Sequence, residues 1–246
     1  MMSNRIMSHM VACFPSKRES IDVAGALIDG GSSYLEVQFP FSDPSSDGYY
    51  IQEACRIALS EGFTAAAGFE LIGEIRRASD IPVFVMCYAN TVFFHGIRTF
   101  LRSCASSGAQ GVIVPDLPLD YDEGLYTECG LLGLDAVPVV APSISEKRLG
   151  MIMKNQSEHL YAALRTGITG SFTDLGEEKV LFLKRVRSKG RKVFAGFGIS
   201  ERSQVEEISP YVHAAVVGTA FVREIMEQES GSIYGRVRKK TESLVS

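Results

Sequence analysis

Eight short apolar runs punctuate the chain: Ile6–Cys13, Ser33–Gln38, Val83–Tyr88, Gly111–Pro115, Ala136–Val140, Leu160–Leu164, Val193–Ala195 and Ala214–Val217. Most do not alternate polar with apolar residues. Continuous runs of this length predict strands buried on both faces, as in a parallel sheet. The stretches between them carry apolar residues at helical spacing. Ser20–Asp29 is one, with Ser20 suited to N-capping. The same pattern predicts helices over Phe69–Arg77, Thr91–Ser107, Ser145–Asn155, Glu177–Arg187, Ser200–Ile208 and Phe221–Leu244. Asp120–Leu131 follows it less closely.

Eight strand–helix alternations ending in a long helix predict a (β/α)8 TIM barrel, with residues 1–246 as a single domain. A doubly wound open sheet is the alternative; eight repeats favour the barrel. The stretch Phe39–Pro82 is too long for one crossover and has room for two helices, Ile51–Ser60 and Phe69–Ala78. Extra material after a barrel strand usually builds the active face.

Composition narrows the function classes. A net charge of −4 argues against a nucleic-acid partner, which calls for a basic face. No apolar stretch approaches a membrane span, and the N-terminal segment does not read as a signal peptide. Five cysteines, an odd number and none in a CxxC, point to a reducing cytoplasm rather than a disulfide framework. The four histidines are scattered, so no metal site is expected.

Three glycine-bearing turns follow late strands: Arg165–Ser171, Ala195–Ser200 and Val217–Ala220. Glycines let backbone N–H groups approach phosphate oxygens, and helix N-termini favour negative charge. Each turn alone also reads as ordinary chain reversal; three at one end of a barrel favour phosphate binding. Glu36 stands near the end of the second run, where its side chain would enter the barrel mouth. A carboxylate there is costly unless paired or solvated, and suits either acid/base work or bonding to loop amides. Asp47-Gly48 and Asp43-Pro44 read equally as turn chemistry.

The segment PFSDPSSDG, followed two residues later by IQ, resembles the signature of the tryptophan synthase alpha subunit family. The resemblance continues in order through VMCYANTVFFHGI from Val85, VIVPDLP from Val112, RTGITG from Arg165, GFGIS from Gly196 and VGTA from Val217. It implies retro-aldol cleavage of indole-3-glycerol phosphate to indole and glyceraldehyde 3-phosphate. On the matching positions it implies Glu36 as the proton shuttle and Asp47 as the group on the indole N–H. It implies a pocket containing Tyr88, Tyr161, Thr169 and Phe197, of which Tyr88 and Phe197 also read as core aromatics, and phosphate on Gly170, Gly198, Gly218 and Thr219. Asp43, Asp116 and Arg165 correspond to loop-switch and partner positions. The partner implied is a beta subunit in an alpha2beta2 complex, which would carry the pyridoxal phosphate; this chain needs no cofactor. A chain without tryptophan agrees with a tryptophan-making role.

Several positions depart from the family pattern. Gln38 stands where glycine is usual, placed to crowd the indole or redirect Glu36. Tyr49 replaces a proline after Asp-Gly, His9 and Ala163 replace apolar pocket residues, and a glycine is usual near Cys13. The helix normally preceding the first strand is almost absent. These changes surround the indole pocket more than the phosphate loops. They set a second reading beside active cleavage: a weak or inactive barrel that binds a phosphate ligand and activates the beta subunit.

Overall fold

The computed structural model describes residues 4–164, 176–196, 198–227 and 231–246. Nine parallel strands form one sheet: β1 (Ile6–Val11), β2 (Tyr34–Gln38), β3 (Val83–Met86), β4 (Gly111–Ile113), β5 (Asp135–Val137), β6 (Val139–Val140), β7 (His159–Ala163), β8 (Lys192–Gly196) and β9 (Ala214–Val217). Their order is β5-β4-β3-β2-β1-β9-β8-β7-β6. Only Pro138 separates the two ends of that order. Proline has no N–H to give to a ladder, so one predicted strand, Ala136–Val140, is recorded as two. Its carbonyl still accepts the Tyr161 N–H at 2.9 Å. The nine strands are therefore eight staves, and the sheet closes as the barrel that the sequence predicts.

Helices α1 (Lys17–Asp29), α2 (Tyr49–Ser60), α3 (Ala65–Ala78), α4 (Ala89–His95), α5 (Ile97–Ser106), α6 (Leu125–Leu132), α7 (Glu146–Ile152), α8 (Glu177–Arg187), α9 (Arg202–Ile208), α10 (Thr219–Met226) and α11 (Ile233–Val245) flank the barrel. Three differ from expectation. The cap of α1 is Ser16, which accepts from the Glu19 N–H, and Ser20 is buried one turn inside. The predicted helix Thr91–Ser107 is broken at Gly96, whose φ of +78° leaves the helical region that L residues prefer. The predicted Phe221–Leu244 helix is two helices, α10 and α11.

Apolar burial divides into two compartments. Alternate strand residues point outward to the helices, among them Leu35, Val37, Val83 and Val85. The others fill the lumen: Met7, Phe84, Met86, Ile113, Val137, Tyr161, Phe194 and Val216. A barrel of eight staves is just wide enough for side chains to occupy.

Rings close the N-terminal end. His159 stacks on Phe194 with centroids 4.5 Å apart, and its Nδ1 bonds Asp135 at 2.7 Å. Tyr34 packs edge-on to Phe194 and its hydroxyl bonds His213 Nε2 at 2.7 Å. Burial, then the nearby Arg5 and Lys192, hold the His213 pKa down to about 4, so this end carries a neutral imidazole at neutral pH.

Gly111 shows how tightly the staves meet. A Cβ there would lie 2.2 Å from the Asp135 carbonyl oxygen and 2.9 Å from the Phe84 ring. Backbone cannot yield as a side chain can. Gly111→Ala is expected to lower stability by about 3 kcal/mol, read as a shift in the urea midpoint at unchanged slope.

Candidate active site

At the C-terminal ends of the strands lies a cleft of about 600 Å³ including its open mouth, of which about 60 Å³ is space for the centre of a water-sized sphere. Its wall includes His9, Glu36, Asp47, Tyr161, Gly198, Gly218 and Thr219, with apolar surface from Ile51, Met86, Ile113, Val139, Ile199 and Val216. The two predicted carboxylates are therefore brought together with two of the predicted phosphate glycines, Thr219 and one pocket tyrosine.

Strand periodicity explains the convergence. Glu36 and Gln38 lie two residues apart on β2 and share its inner face. In the parallel register His9 of β1 stands opposite Glu36. Its Nδ1 lies 2.7 Å from Glu36 Oε2, and the two residues are only 5% and 3% exposed. Burial pulls the His9 pKa down, but the hydrogen bond and charge of Glu36, with Asp47 and Gln38 adding, more than offset it, and the net shift is upward. Glu36 is thus a paired carboxylate, which answers the cost of placing it in the barrel mouth.

Asp47 has its own partners. Its Oδ2 accepts from Gln38 Nε2 at 2.8 Å and from the Tyr88 hydroxyl at 2.9 Å. Its backbone carbonyl accepts from Gln52 Nε2 at 2.7 Å, which ties the loop to the first turn of α2. Burial raises the Asp47 pKa, and the opposing pull of His9, Gln38 and Tyr88 does not cancel it. Gln38 was expected to crowd the cavity or redirect Glu36. It is fully buried, outside the cavity wall, and its amide holds Asp47.

Tyr88 likewise sits behind Asp47 rather than on the cavity wall, stacked on Phe41 with centroids 5.4 Å apart. Its hydroxyl also accepts the Ser46 N–H at 3.1 Å. Tyr88→Phe removes both contacts and leaves a buried carboxylate one donor short. The expected loss is about 1–3 kcal/mol of stability, checked by urea melts, with faster proteolysis inside 42–48.

Inward-facing glycines make room for the larger side chains. A Cβ on Gly196 would meet the Tyr161 hydroxyl and Val216 at 2.8 Å. One on Gly218 would meet the His9 ring edge at 3.1–3.2 Å. Gly198 has φ +88°, a turn that favours glycine. Gly218 precedes α10, whose first residue is Thr219. These turns thus bring backbone close to the cavity, as the glycine pattern predicted.

Among the switch positions, Asp43 is exposed and accepts from the Ser42 hydroxyl at 2.6 Å. Asp116 accepts the Ala89 N–H at 2.9 Å and fastens the loop after β4 to the start of α4. Arg165, Thr169, Gly170 and Phe197 lie outside the described residues. Among the described residues no group of three or more histidine, cysteine or acidic side chains is placed to hold a metal ion. No helix among them is long and apolar enough to cross a membrane.

Sequence reading missed the partners of both carboxylates, His9 and Gln38. The available signal was a polar pair, Ser8-His9, inside an otherwise apolar run.

Comparison with known proteins gives one family. A profile described as "Tryptophan synthase alpha chain" matches residues 2–244. The tryptophan synthase alpha chain of Helicobacter hepaticus is 35% identical over 235 residues, 93% of this chain and 88% of that protein. The one from Methanopyrus kandleri is 35% identical over 243 residues, 98% and 88% of the two chains. Among solved structures, a tryptophan synthase complex from Pyrococcus furiosus superposes with TM-score 0.89 at 28% identity, covering 98% of each chain. Mycobacterium tuberculosis tryptophan synthase gives 0.88 at 29%, covering 98% of this chain and 91% of that one.

Proposed function

The chain belongs to the tryptophan synthase alpha chain family, and from that premise we propose that it cleaves indole-3-glycerol phosphate to indole and glyceraldehyde 3-phosphate. The observation that carries this reading is the meeting of Glu36 and Asp47 in one cavity with Gly198, Gly218 and Thr219.

The chemistry follows from what the bond requires. Glu36 as the acid gives a proton to indole carbon 3, which leaves positive charge on the ring nitrogen. Asp47, bonded to the indole N–H, stabilises that charge. Glu36, now a carboxylate, takes the proton of the adjacent side-chain hydroxyl. The carbon–carbon bond then breaks, its electron pair returns to the indole ring, and the hydroxyl carbon becomes the aldehyde. One proton is delivered and one recovered, so none is consumed overall. The apolar wall of Ile51, Met86, Ile113 and Val139 suits a flat indole ring. Backbone N–H groups of the turns at Gly198 and Gly218 suit the phosphate, with Thr219 and Gly170 completing that site by resemblance, and Thr169 and Phe197 the pocket.

The whole length is read as one barrel acting in the cytoplasm with a beta subunit, in an alpha2beta2 assembly. The Pyrococcus furiosus relative is described as forming an a2b2 complex with mutual activation. Pyridoxal phosphate is assigned to the partner. Asp43, Asp116 and Arg165 are proposed to rearrange as the mouth closes.

The test is release of indole from indole-3-glycerol phosphate by the chain alone and with its beta subunit, beside serine-to-tryptophan conversion from supplied indole. Cleavage that rises with the partner is expected. No cleavage, with beta chemistry still accelerated, would replace this reading with that of an activator alone.

A further inference from the structure

His9 holds more than one card at the mouth of the barrel. One ring nitrogen, Nδ1, bonds Glu36 at 2.7 Å. The other, Nε2, is buried with no hydrogen-bond partner. The residue is 5% exposed and lines the same cavity as both carboxylates. The Cγ–Cδ2 edge of its ring lies against Gly218, the residue that opens the turn into α10. A buried donor nitrogen left without an acceptor costs free energy that a ligand oxygen can recover.

We propose that His9 is a substrate-contacting residue that shares its Nδ1 proton with Glu36 and gives its Nε2–H to an oxygen of the glycerol phosphate side chain. The proposal rests on the cleavage reading above for its chemistry, but its binding half stands on the cavity alone.

The two nitrogens divide the work. When Glu36 gives its proton to carbon 3, it has drawn that proton from Nδ1, and the imidazolium becomes neutral imidazole. When Glu36 takes the hydroxyl proton, it passes it back to Nδ1. Through both steps Nε2 keeps its hydrogen, so the contact to the side-chain oxygen persists while charge moves. The pairing with Glu36 favours the protonated ring over the neutral one despite burial. A raised imidazole pKa means the shared proton is present below the ordinary imidazole value and is lost as pH rises through the raised one. Among the described residues the other titratable groups of the cavity are Asp47, from the loop after β2, and Tyr161 of β7; β9 and its turn bring Val216, Gly218 and Thr219. Burial pushes the Tyr161 hydroxyl well up, so it stays protonated across neutral pH.

The experiment uses the full chain with its beta subunit and two variants, His9→Phe and His9→Asn, each first shown folded by its thermal melt. Asparagine is the smaller change and keeps a short donor towards Glu36, but cannot reach as Nε2 does. Binding of sn-glycerol 3-phosphate, which cannot be cleaved, is measured by calorimetry beside inorganic phosphate. Indole release is followed from about pH 6 to 9, which spans the ordinary imidazole value of about 6.5 and the range above it. Both variants are expected to bind glycerol 3-phosphate about tenfold or more weakly, the size of one lost charge-assisted hydrogen bond. Weaker binding of inorganic phosphate as well assigns the contact to the phosphate; weaker binding of glycerol 3-phosphate alone assigns it to a hydroxyl. The alkaline limb of wild-type turnover, set by the imidazolium, should be missing from His9→Phe. Unchanged affinities for both probes in either folded variant overturn the proposal, as does an unmoved alkaline limb. If the wild type releases no indole, the cleavage reading fails, and the affinity comparison still decides the His9 contact.

Discussion

The Glu36→Gln variant is expected to lose nearly all indole release while its barrel stays folded. The expected fall in turnover is at least about 100-fold and up to about 10,000-fold, the range that a positioned acid/base contributes. The substitution is nearly isosteric, and an amide oxygen can still accept from His9 Nδ1, 2.7 Å away in the wild type. What it removes is the ability to give and take a proton. Affinity for sn-glycerol 3-phosphate should fall no further than in the His9 variants, about tenfold, because the turns at Gly198 and Gly218 lie elsewhere on the cavity wall. Loss of turnover with binding retained separates chemistry from assembly of the site. Undiminished cleavage in the variant would sink the assignment of Glu36.

Gly218→Asp has the largest expected effect on binding. The backbone there, at φ −130°, does not itself demand glycine. Space does: a Cβ would press on the His9 ring at 3.1–3.2 Å. The added carboxylate would also face a phosphate dianion in a half-enclosed cavity, where like charges repel more strongly than in water. Bulk and charge act together, and affinity for sn-glycerol 3-phosphate should fall by about 100-fold or more, a few kcal/mol. Calorimetry reads this directly, and a thermal melt guards against global unfolding. Affinity equal to that of the wild type would place the phosphate somewhere other than this turn.

Much of this was legible in the sequence because it depends on local pattern. Continuous apolar runs and helical spacing gave eight staves and their crossovers. The enlarged stretch after the second strand holds α2 and α3, close to the predicted Ile51–Ser60 and Phe69–Ala78. Glu36, Asp47, Tyr161, Gly198, Gly218 and Thr219 were singled out and do share a wall. The partners of the carboxylates were not legible, for a physical reason. His9 and Glu36 are 27 residues apart and meet only through the register of β1 on β2. Parallel register is fixed by crossover geometry and packing, not by a turn motif that can be read off. Gln38 was recognised as unusual, but its direction of action depends on where the loop places Asp47. The break at Gly96 was missed because the apolar spacing runs on across it.

The N-terminal end of the barrel has a consequence for traffic. Tyr34, Phe84, His159 and Phe194 pack ring against ring across the lumen, with Asp135 and His213 bonding two of them in place. Nothing the size of an indole ring passes through such a floor. Among the described residues this packing closes the lumen at its N-terminal end, and the cavity opens at the end where the loops lie.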